Sequence, residues 1–374
     1  MNNSITYIGI DAHNNSYSVC SFCLGQDKAK FQTKFTASVE NILKYIERIR
    51  DEYPINTHFI CGYEAGYLGY SLYKELEKHS VECWILAPST MEDKKNNRVK
   101  TDKRDAVMIA KNMAYNQAER VYVLDIEDEG VKEYIRMRDD HKSDFKKTKQ
   151  RIQALLRKQG ITNHDNTPWT IAYMDWLKKV EFENNDLKDV LDEYLTTYYY
   201  LEAKIKRFDN HIEEISTRDR YKESSYNLQC FLGIKTHIAL SFLVEVGDFK
   251  RFKKACNFSS FIGLVPSENS SGDKCHRGSI TRCGNKHLRK LITEAAQCYG
   301  RGSTGYKSKE LQRRQNRCSK QVIAYADKAN ERLRRRFYHL ILHREMKHNV
   351  AKCAIARELC CFIWGMMTGN IDAA

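Results

Sequence analysis

Four acidic residues in the first third of the chain have the spacing of a metal-binding carboxylate cluster. Asp11 ends the stretch ITYIGID and Glu64 ends the stretch FICGYE, so both lie where an apolar strand pattern stops. Asp102 and Asp105 are three residues apart at the start of a helical pattern, so their carboxylates share one helix face. Converging carboxylates repel one another unless a cation neutralises them, so the sequence predicts a site for Mg²⁺ or Mn²⁺. Two such ions can activate an attacking oxygen and stabilise a leaving oxygen at a phosphodiester.

Each of these acids also has a purely structural interpretation. Asp102 suits a helix N-cap, where its charge complements the helix dipole. Glu64 suits a solvated strand end, and Asp11 a turn before the residues AHNN. The metal site is favoured only if the four positions converge in one fold.

The first hundred residues contain the strand and helix patterns that would bring them together. The β-rich runs span 5–13, 16–24, 29–37, 57–66 and 81–88, and short turns between the first three predict an antiparallel meander. Helical periodicity covers 39–53, 67–80 and 101–116, with Ser38 as the N-cap of the first helix. The order βββαβαβ followed by a helix is that of an α/β RNase H-like fold.

The rest of the chain is predicted to be mainly helical. The segment 187–216 reads as one long helix with an apolar and aromatic stripe, which is typical either of ordinary packing or of a coiled-coil arm that joins two subunits. A second domain begins near Tyr221. In it, LGIKTHIALSFLVEVG is similar to a helix-hairpin-helix element, whose turn offers backbone N–H groups to a phosphate. The segment 327–367 predicts two packed helices.

The charge of the chain favours a polyanionic partner. The formal net charge is +14, and from Tyr226 onward 27 lysines and arginines face 11 aspartates and glutamates. Nucleic acid is favoured over membrane because the sequence contains no long apolar run. The 13 cysteines form no secreted framework and the amino terminus has no signal-peptide pattern, so a cytoplasmic protein with reduced thiols is expected.

The segment GLVPSENSSGDKCHRGSITRCGN, residues 263–285, holds a serine pair in a Gly/Pro loop with cations on its far side. A serine hydroxyl there can face a phosphate, and Gly272 permits a close approach of the backbone. The expected phosphate-binding cations are Lys274, Arg277, Arg282, Lys286, Arg289 and Lys290. The alternative is an ordinary loop serine in a basic nucleic-acid surface.

Two further groups stay open. Cys275, His276, Cys283 and His287 contain metal-ligand residue types, but an adjacent first pair is not a usual zinc spacing, so buried or incidental thiols are the alternative. The stretch ERLRRRFYHLILHR either binds phosphates or forms a solvated helix face over an apolar core, and a mixture of the two is favoured because its basic positions fall on overlapping helical faces. Its basic positions are Arg332, Arg335, Arg336, His339 and His343.

Four motifs together resemble a known family. In chain order they are YIGIDAH, YEAGYLGYSL, LAPSTMEDKKNNRVKTDKRDA and FIGLVPSENSSGDKCHRGSITRCGNKHLRKLI. They are similar to the motifs of insertion-sequence transposases with a RuvC-like DEDD domain, the IS110 family. The resemblance covers roughly 5–116 and 228–296, and implies a RuvC-like domain over 1–160, a helical linker over 161–225 and a serine transposase domain over 226–374.

The resemblance also implies residue roles and partners. Asp11, Glu64, Asp102 and Asp105 match the four metal-binding acids of the family, and Ser271 matches the nucleophile that attacks a DNA phosphodiester. Ser270 is its neighbour and stays an alternative. Family members are recombinases guided by a bridge RNA that pairs with donor and target DNA. They act as dimers that pair into a tetramer, with the acids of one subunit completing the serine site of another.

Two other functions are compatible with the same residues. In a RuvC-type structure-specific nuclease, water would attack and Ser271 would only position DNA. In an inactive nucleic-acid-binding protein, neither the acids nor the serine would act chemically. Replacement of Asp11 should abolish activity in both enzymes, and replacement of Ser271 should abolish it only in the recombinase. In the binding protein, neither replacement should change more than affinity.

Overall fold

A five-stranded sheet forms the centre of the first unit of the chain, Met1–Val123. The structure is a computed structural model that describes residues 4–91, 102–268 and 277–371. The strands are β1 (Ile5–Ala12), β2 (Ser16–Cys23), β3 (Lys30–Thr36), β4 (His58–Glu64) and β5 (Glu82–Leu86). They are ordered β3-β2-β1-β4-β5, with β1, β4 and β5 parallel and β2 antiparallel to both β1 and β3.

Helices cover both faces of this sheet. They are α1 (Val39–Arg50), α2 (Ser71–Lys78) and α3 (Asp102–Ala114). The α1 and α2 side is closed by apolar residues such as Ile10, Ile46 and Leu76, and the α3 side by residues such as Phe22 and Ile109. The predicted order of strands and helices and the antiparallel meander are confirmed. Ser38 caps α1 as predicted, since its side chain accepts a hydrogen bond from the N–H of Asn41.

Two glycines let α3 lie close against the sheet. Gly9 of β1 and Gly62 of β4 are paired in the parallel register. A Cβ atom built on Gly9 would lie 2.1 Å from the carbonyl oxygen of Ala106, and one built on Gly62 would lie 2.3 Å from the sulfur of Met113. The helix therefore occupies the space that side chains would take at these two positions.

In the described residues of the second unit, Leu124–Ala374, the regular elements are helices and one short hairpin. Its helices are α4 (Ile126–Lys158), α5 (Ile171–Lys178), α6 (Asn185–Ser216), α7 (Asp219–Leu228), α8 (Thr236–Val246), α9 (Ala255–Ile262), α10 (Lys286–Ala296), α11 (Lys309–Gln315), α12 (Lys320–Leu342) and α13 (His348–Met367). Strands β6 (Pro266–Glu268) and β7 (Arg277–Ile280) pair antiparallel between α9 and α10.

Two apolar cores hold this unit together. In the smaller one, Phe145 and Ile152 of α4 pack with Leu195 and Tyr198 of α6. The larger core contains residues of α7, α8, α9 and α10, which pack with residues of α12 and α13. The long helix predicted over 187–216 is confirmed as α6, and the two packed helices predicted at the end of the chain are confirmed as α12 and α13.

None of the helices in the described ranges is both long enough and apolar enough to cross a membrane.

Replacement of Gly9 by alanine is expected to destabilise the first unit. The added Cβ would collide with the backbone of α3, and overpacking of this kind costs about 1–3 kcal/mol. Gly66→Ala is the matched control, because the nearest atom to its Cβ would be the carbonyl oxygen of Glu64 at an ordinary 3.8 Å. Urea unfolding of the two variants measures the difference, and equal stability would contradict the close approach of α3.

Candidate metal centre and nucleic-acid interface

Asp11 lies at the carboxyl end of β1, in a setting unfavourable for its charge. Its side chain is 16% exposed. Burial raises the pKa of Asp11, and the neighbouring charges of Asp105 and Asp102 raise it further, while His13 lowers it. Because the net effect is an increase, the ionised carboxylate needs a compensating positive charge.

Asp102 approaches Asp11 because α3 begins at this edge of the sheet. His13 lies between them, with Nε2 3.2 Å from Oδ2 of Asp11 and 3.7 Å from Oδ1 of Asp102. One ligand atom from each of the three residues falls within 4.8 Å of the others. Lys34 of β3 donates a hydrogen bond of 2.7 Å to Oδ2 of Asp102 and thereby lowers the pKa of Asp102.

Asp105 and Glu64 are placed less tightly. Asp105 is half-buried one turn further along α3, and its charge acts on Asp11. Glu64 is the exposed last residue of β4. The register pairs Ile10 of β1 with Tyr63 of β4, so the next residues, Asp11 and Glu64, end neighbouring parallel strands at the same edge of the sheet. Glu64 does not belong to the close group of three.

The residues present fit a divalent cation. Oδ2 of Asp11 is buried and has no well-formed hydrogen bond within the described chain. Carboxylate oxygens are the ligands that Mg²⁺ and Mn²⁺ prefer, and imidazole nitrogen is compatible with transition metals such as Mn²⁺. Asp11 and Asp102 can therefore hold such an ion.

Sequence reasoning missed His13 and Lys34. His13 follows Asp11 by two residues in the motif GIDAH, so its proximity was readable from the turn that it opens. In that turn its backbone N–H bonds the carbonyl of Ser16. Lys34 lies on a strand that is not adjacent to β1, and only the sheet order and the packing of α3 bring it to Asp102.

The serine segment is described in part. Ser270, Ser271 and Lys274 lie outside the described residues, and Arg277 is described only as the first residue of β7. Arg282, Lys286 and Lys290 are exposed in the segment that leads from β7 into α10. Arg289 has a structural contact, since its guanidinium donates a 2.8 Å hydrogen bond to the carbonyl of Ile262 at the end of α9.

A buried carboxylate ties α10 to α4 and α8. The side chain of Glu245 on α8 is 3% exposed and accepts hydrogen bonds from Arg136 Nε at 2.9 Å and Arg136 Nη2 at 3.1 Å. Asn285, the N-cap of α10, donates to the same carboxylate at 2.8 Å. Burial raises the pKa of Glu245, but the hydrogen bonds from Arg136 and Asn285 outweigh it and hold the pKa below its ordinary value.

A second carboxylate, which is partly buried, lies beside the first. Asp139 of α4 lies 3.0 Å from Nε2 of His237, 3.7 Å from Nε2 of His287 and 2.9 Å from Nη1 of Arg138. Burial raises its pKa, but His237 and Arg138 lower it well below the usual range. These two carboxylates fix the start of α10, and with it the chain that leaves β7.

The structure gives no support to a zinc site at His287. Among the described residues, the group of potential ligands close enough to share an ion is Asp11, His13 and Asp102. His287 contacts Asp139, and Cys283 is exposed. Cys275 and His276 lie outside the described residues.

Three arginines of α12 are engaged with carboxylates. Arg332 and Arg336 contact the two oxygens of Glu358 at 2.6 and 2.9 Å, and Arg335 pairs with Glu331. This face of α12 is therefore a network of ion pairs in the described structure, which favours the solvated-face interpretation.

A βββαβαβ sheet with acids at the end of β1 and the start of α3 is consistent with a DEDD-type domain. A DEDD transposase family model matches residues 8–160, and the model of the transposase IS116/IS110/IS902 family matches residues 225–312. The chain belongs to this family of DNA transposases.

Related transposases match over most of the chain. The transposase for insertion sequence element IS1533 of Leptospira borgpetersenii is 29% identical over 348 residues, which cover 89% of this chain and 96% of the relative. A Sinorhizobium fredii protein, y4qE, also described as a transposase, is 28% identical over 96% of this chain and 88% of its own length. The transposase for element IS1111A of Coxiella burnetii is 26% identical over 53% of this chain and 54% of its own.

Asp11→Asn is expected to raise the melting temperature in the presence of a chelator, because it removes a buried charge that faces two other carboxylates. The wild-type protein should gain stability on addition of Mg²⁺ or Mn²⁺, by about 2.7 kcal/mol at 100 times the dissociation constant. The variant should lose that gain. Asp27→Asn, at an exposed loop position, is the control. A wild-type melting temperature that ignores both cations would argue against the site.

Arg136→Met is expected to lower the free energy of unfolding at pH 7 by about 1–3 kcal/mol, since it leaves a buried carboxylate short of a donor. The folded-state pKa of Glu245 is lowered, so its contribution is present above the ordinary pKa of about 4.3 and is lost as the pH falls through the folded value. The deficit should therefore shrink in urea titrations below roughly pH 4. Arg151→Met, at an exposed position of α4, should show no such pH dependence.

Proposed function

We propose that this transposase cuts and rejoins donor and target DNA through a covalent serine–DNA intermediate and is guided by a non-coding RNA of its element. The observation that carries the proposal is the convergence of Asp11 and Asp102 in a chain whose second matched domain contains the serine segment. A carboxylate cluster alone supports hydrolysis, whereas an added serine supports transesterification.

The chemical step uses residues of both matched domains. Asp11, Glu64, Asp102 and Asp105 would hold a divalent cation, which would supply charge neutralisation at the phosphodiester. The Oγ atom of Ser271 attacks phosphorus and loses its proton to a base. The bond from phosphorus to one DNA oxygen breaks, and that oxygen leaves as a hydroxyl. Attack by a hydroxyl of another strand then reverses the step and frees the serine.

This chemistry needs no nucleotide cofactor. The phosphoserine ester conserves the free energy of the broken phosphodiester, so rejoining requires no separate energy source. The sequence agrees, because it contains no GxxxxGK[ST] motif for binding a nucleotide triphosphate.

The basic segment around β7 and α10 would bind the DNA backbone. Arg282, Lys286 and Lys290 are exposed there, and Lys274 and Arg277 belong to the same stretch of chain. Each neutralised phosphate contributes to affinity and to its salt dependence but not to sequence specificity. Arg289 would act indirectly, since its contact with Ile262 holds α9 against α10.

Target choice would come from RNA pairing. A protein that contacts mainly the phosphate backbone of DNA leaves sequence recognition to another component. A bridge RNA that pairs with donor and target DNA would supply that recognition. We propose that the chain divides functionally into a RuvC-like domain (1–160), a helical linker (161–225) and a serine domain (226–374).

The long helices would provide the assembly. α4 and α6 pack along one another, and we propose that they form a coiled-coil arm for a dimer that pairs into a tetramer. The acids of one subunit would then complete the serine site of another. The turn before α8 would present a helix-hairpin-helix element to DNA. Its Gly233 packs on the backbone of Ala295, so any phosphate contact would come from the start of α8.

The test is a covalent adduct assay. Purified protein, RNA from the region flanking its gene, and labelled donor and target DNA are incubated with Mg²⁺ and run on a denaturing gel before and after protease treatment. The expected result is a protein-sized adduct that protease removes. It should be absent in Ser271→Ala and in Asp11→Asn, and present in the control Ser279→Ala.

Other outcomes identify the alternatives. Cleavage without an adduct, retained in Ser271→Ala but lost in Asp11→Asn, would indicate a RuvC-type nuclease. DNA binding with no cleavage in any variant would indicate an inactive binding protein. Loss of the adduct in Ser270→Ala alone would make Ser270 the nucleophile. An adduct that forms equally without RNA would overturn the guidance.

A further inference from the structure

An exposed aromatic ring lies beside the carboxylate cluster, and neither the metal site nor the serine chemistry uses it. Tyr67 is in the loop between β4 and α2, and its side chain is 60% exposed. Its hydroxyl donates a 3.1 Å hydrogen bond to the carbonyl of Ala12, the residue directly after Asp11.

We propose that Tyr67 is a stacking platform for an unpaired nucleobase next to the phosphodiester held at the carboxylate cluster. The ligand would be a nucleotide of a single-stranded or locally opened DNA strand. This inference rests on the proposed function, because that function supplies the phosphodiester.

The loop that carries Tyr67 is fixed rather than loose. The N–H of Ala65 donates to the carbonyl of Leu86 at 2.9 Å, and the hydroxyl of Tyr63 donates to the carbonyl of Gly69 at 2.9 Å. The hydrogen bond from Tyr67 to Ala12 adds a third attachment. A ring held in this way loses little conformational entropy when a base stacks on it.

The neighbours of Tyr67 show that its exposure is selective. Leu68 and Tyr70 of the same loop pack against the apolar core under α1 and α2. Tyr67, directly before Leu68, is instead an exposed large side chain, although an inward position would bury an aromatic ring at a gain of free energy.

The surroundings match the two halves of a nucleotide. His13 and Lys34 are each about half exposed at the carboxylate cluster and can meet phosphate oxygens, with Lys34 exchanging Asp102 for a phosphate. The ring of Tyr67 can meet the base. Aromatic stacking is tolerant of sequence, because every base has a π-face, and it contributes about 1–3 kcal/mol per base. A contact that does not depend on base identity suits an enzyme whose target sequence is recognised by RNA pairing, as proposed above.

The experiment measures stacking without cleavage. Single-stranded oligonucleotides carrying one 2-aminopurine, moved position by position, are titrated with the full-length protein in the presence of Ca²⁺. Wild-type protein should quench the fluorophore strongly at one position. Tyr67→Ala should abolish that quenching and weaken binding by roughly 5- to 150-fold, the equivalent of about 1–3 kcal/mol. Tyr67→Phe, which keeps the ring, should retain most of both.

An abasic site at the quenched position gives the decisive comparison. It should weaken binding to wild-type protein but not to Tyr67→Ala, because each change removes the same contact. Tyr115→Ala is the matched control, since Tyr115 is also exposed but follows the far end of α3. Melting temperatures verify that the variants are folded.

Two results would overturn the proposal: no position-dependent quenching by wild-type protein, or equal losses for the abasic oligonucleotide in wild-type protein and Tyr67→Ala. Either failure can be distinguished from failure of the proposed function. The binding assay needs neither Ser271 nor cleavage, so a missing covalent adduct with intact stacking would remove only the recombinase chemistry.

Discussion

The close packing of α3 on the sheet is the constraint on which the candidate metal centre depends. It is possible because Gly9 and Gly62 face each other on β1 and β4, where any side chain would meet the helix. Since α3 lies directly on these strands, its first residue, Asp102, is carried to the end of β1, where Asp11 lies. A helix held one side chain further from the sheet would leave the same carboxylates too far apart to share an ion.

This arrangement brings negatively charged carboxylates together, which is electrostatically unfavourable. Asp11 is largely buried and faces the charges of Asp102 and Asp105, and His13 and Lys34 offset part of that repulsion. Natural active sites commonly sacrifice stability in this way, because a site built to bind a cation is strained in its absence. Lys34 would also be available to a phosphodiester once a metal ion takes its place at Asp102.

The second unit uses buried charge for a different purpose. Glu245 and Asp139 have hydrogen-bonding or charged partners on α4, α8 or α10, and their pKa values are held low despite burial. Such groups add little net stability compared with apolar residues, but they specify one arrangement of the helices that meet there. The start of α10 is defined by this network through Asn285 and His287. In the proposed recombinase, the fixed start of α10 would also fix the position of the hairpin from which the serine segment extends.

The sequence by itself determined the order of strands and helices in the first unit, the long helix α6 and the family, because periodicity, turn residues and motifs are local properties. It also indicated that Asp11 and Asp102 lie at element ends. It could not delimit α4, whose apolar stripe is thin among many charges, or detect β6 and β7, which are too short for a pattern. Tertiary structure alone decided that Lys34 reaches Asp102, that Arg332 and Arg336 pair with Glu358, and that Tyr67 stays exposed while the nearby Leu68 is partly buried. The first two features join residues that are distant in the chain, and the third gives one aromatic side chain a different exposure from others near it. All three depend on how whole strands and helices pack.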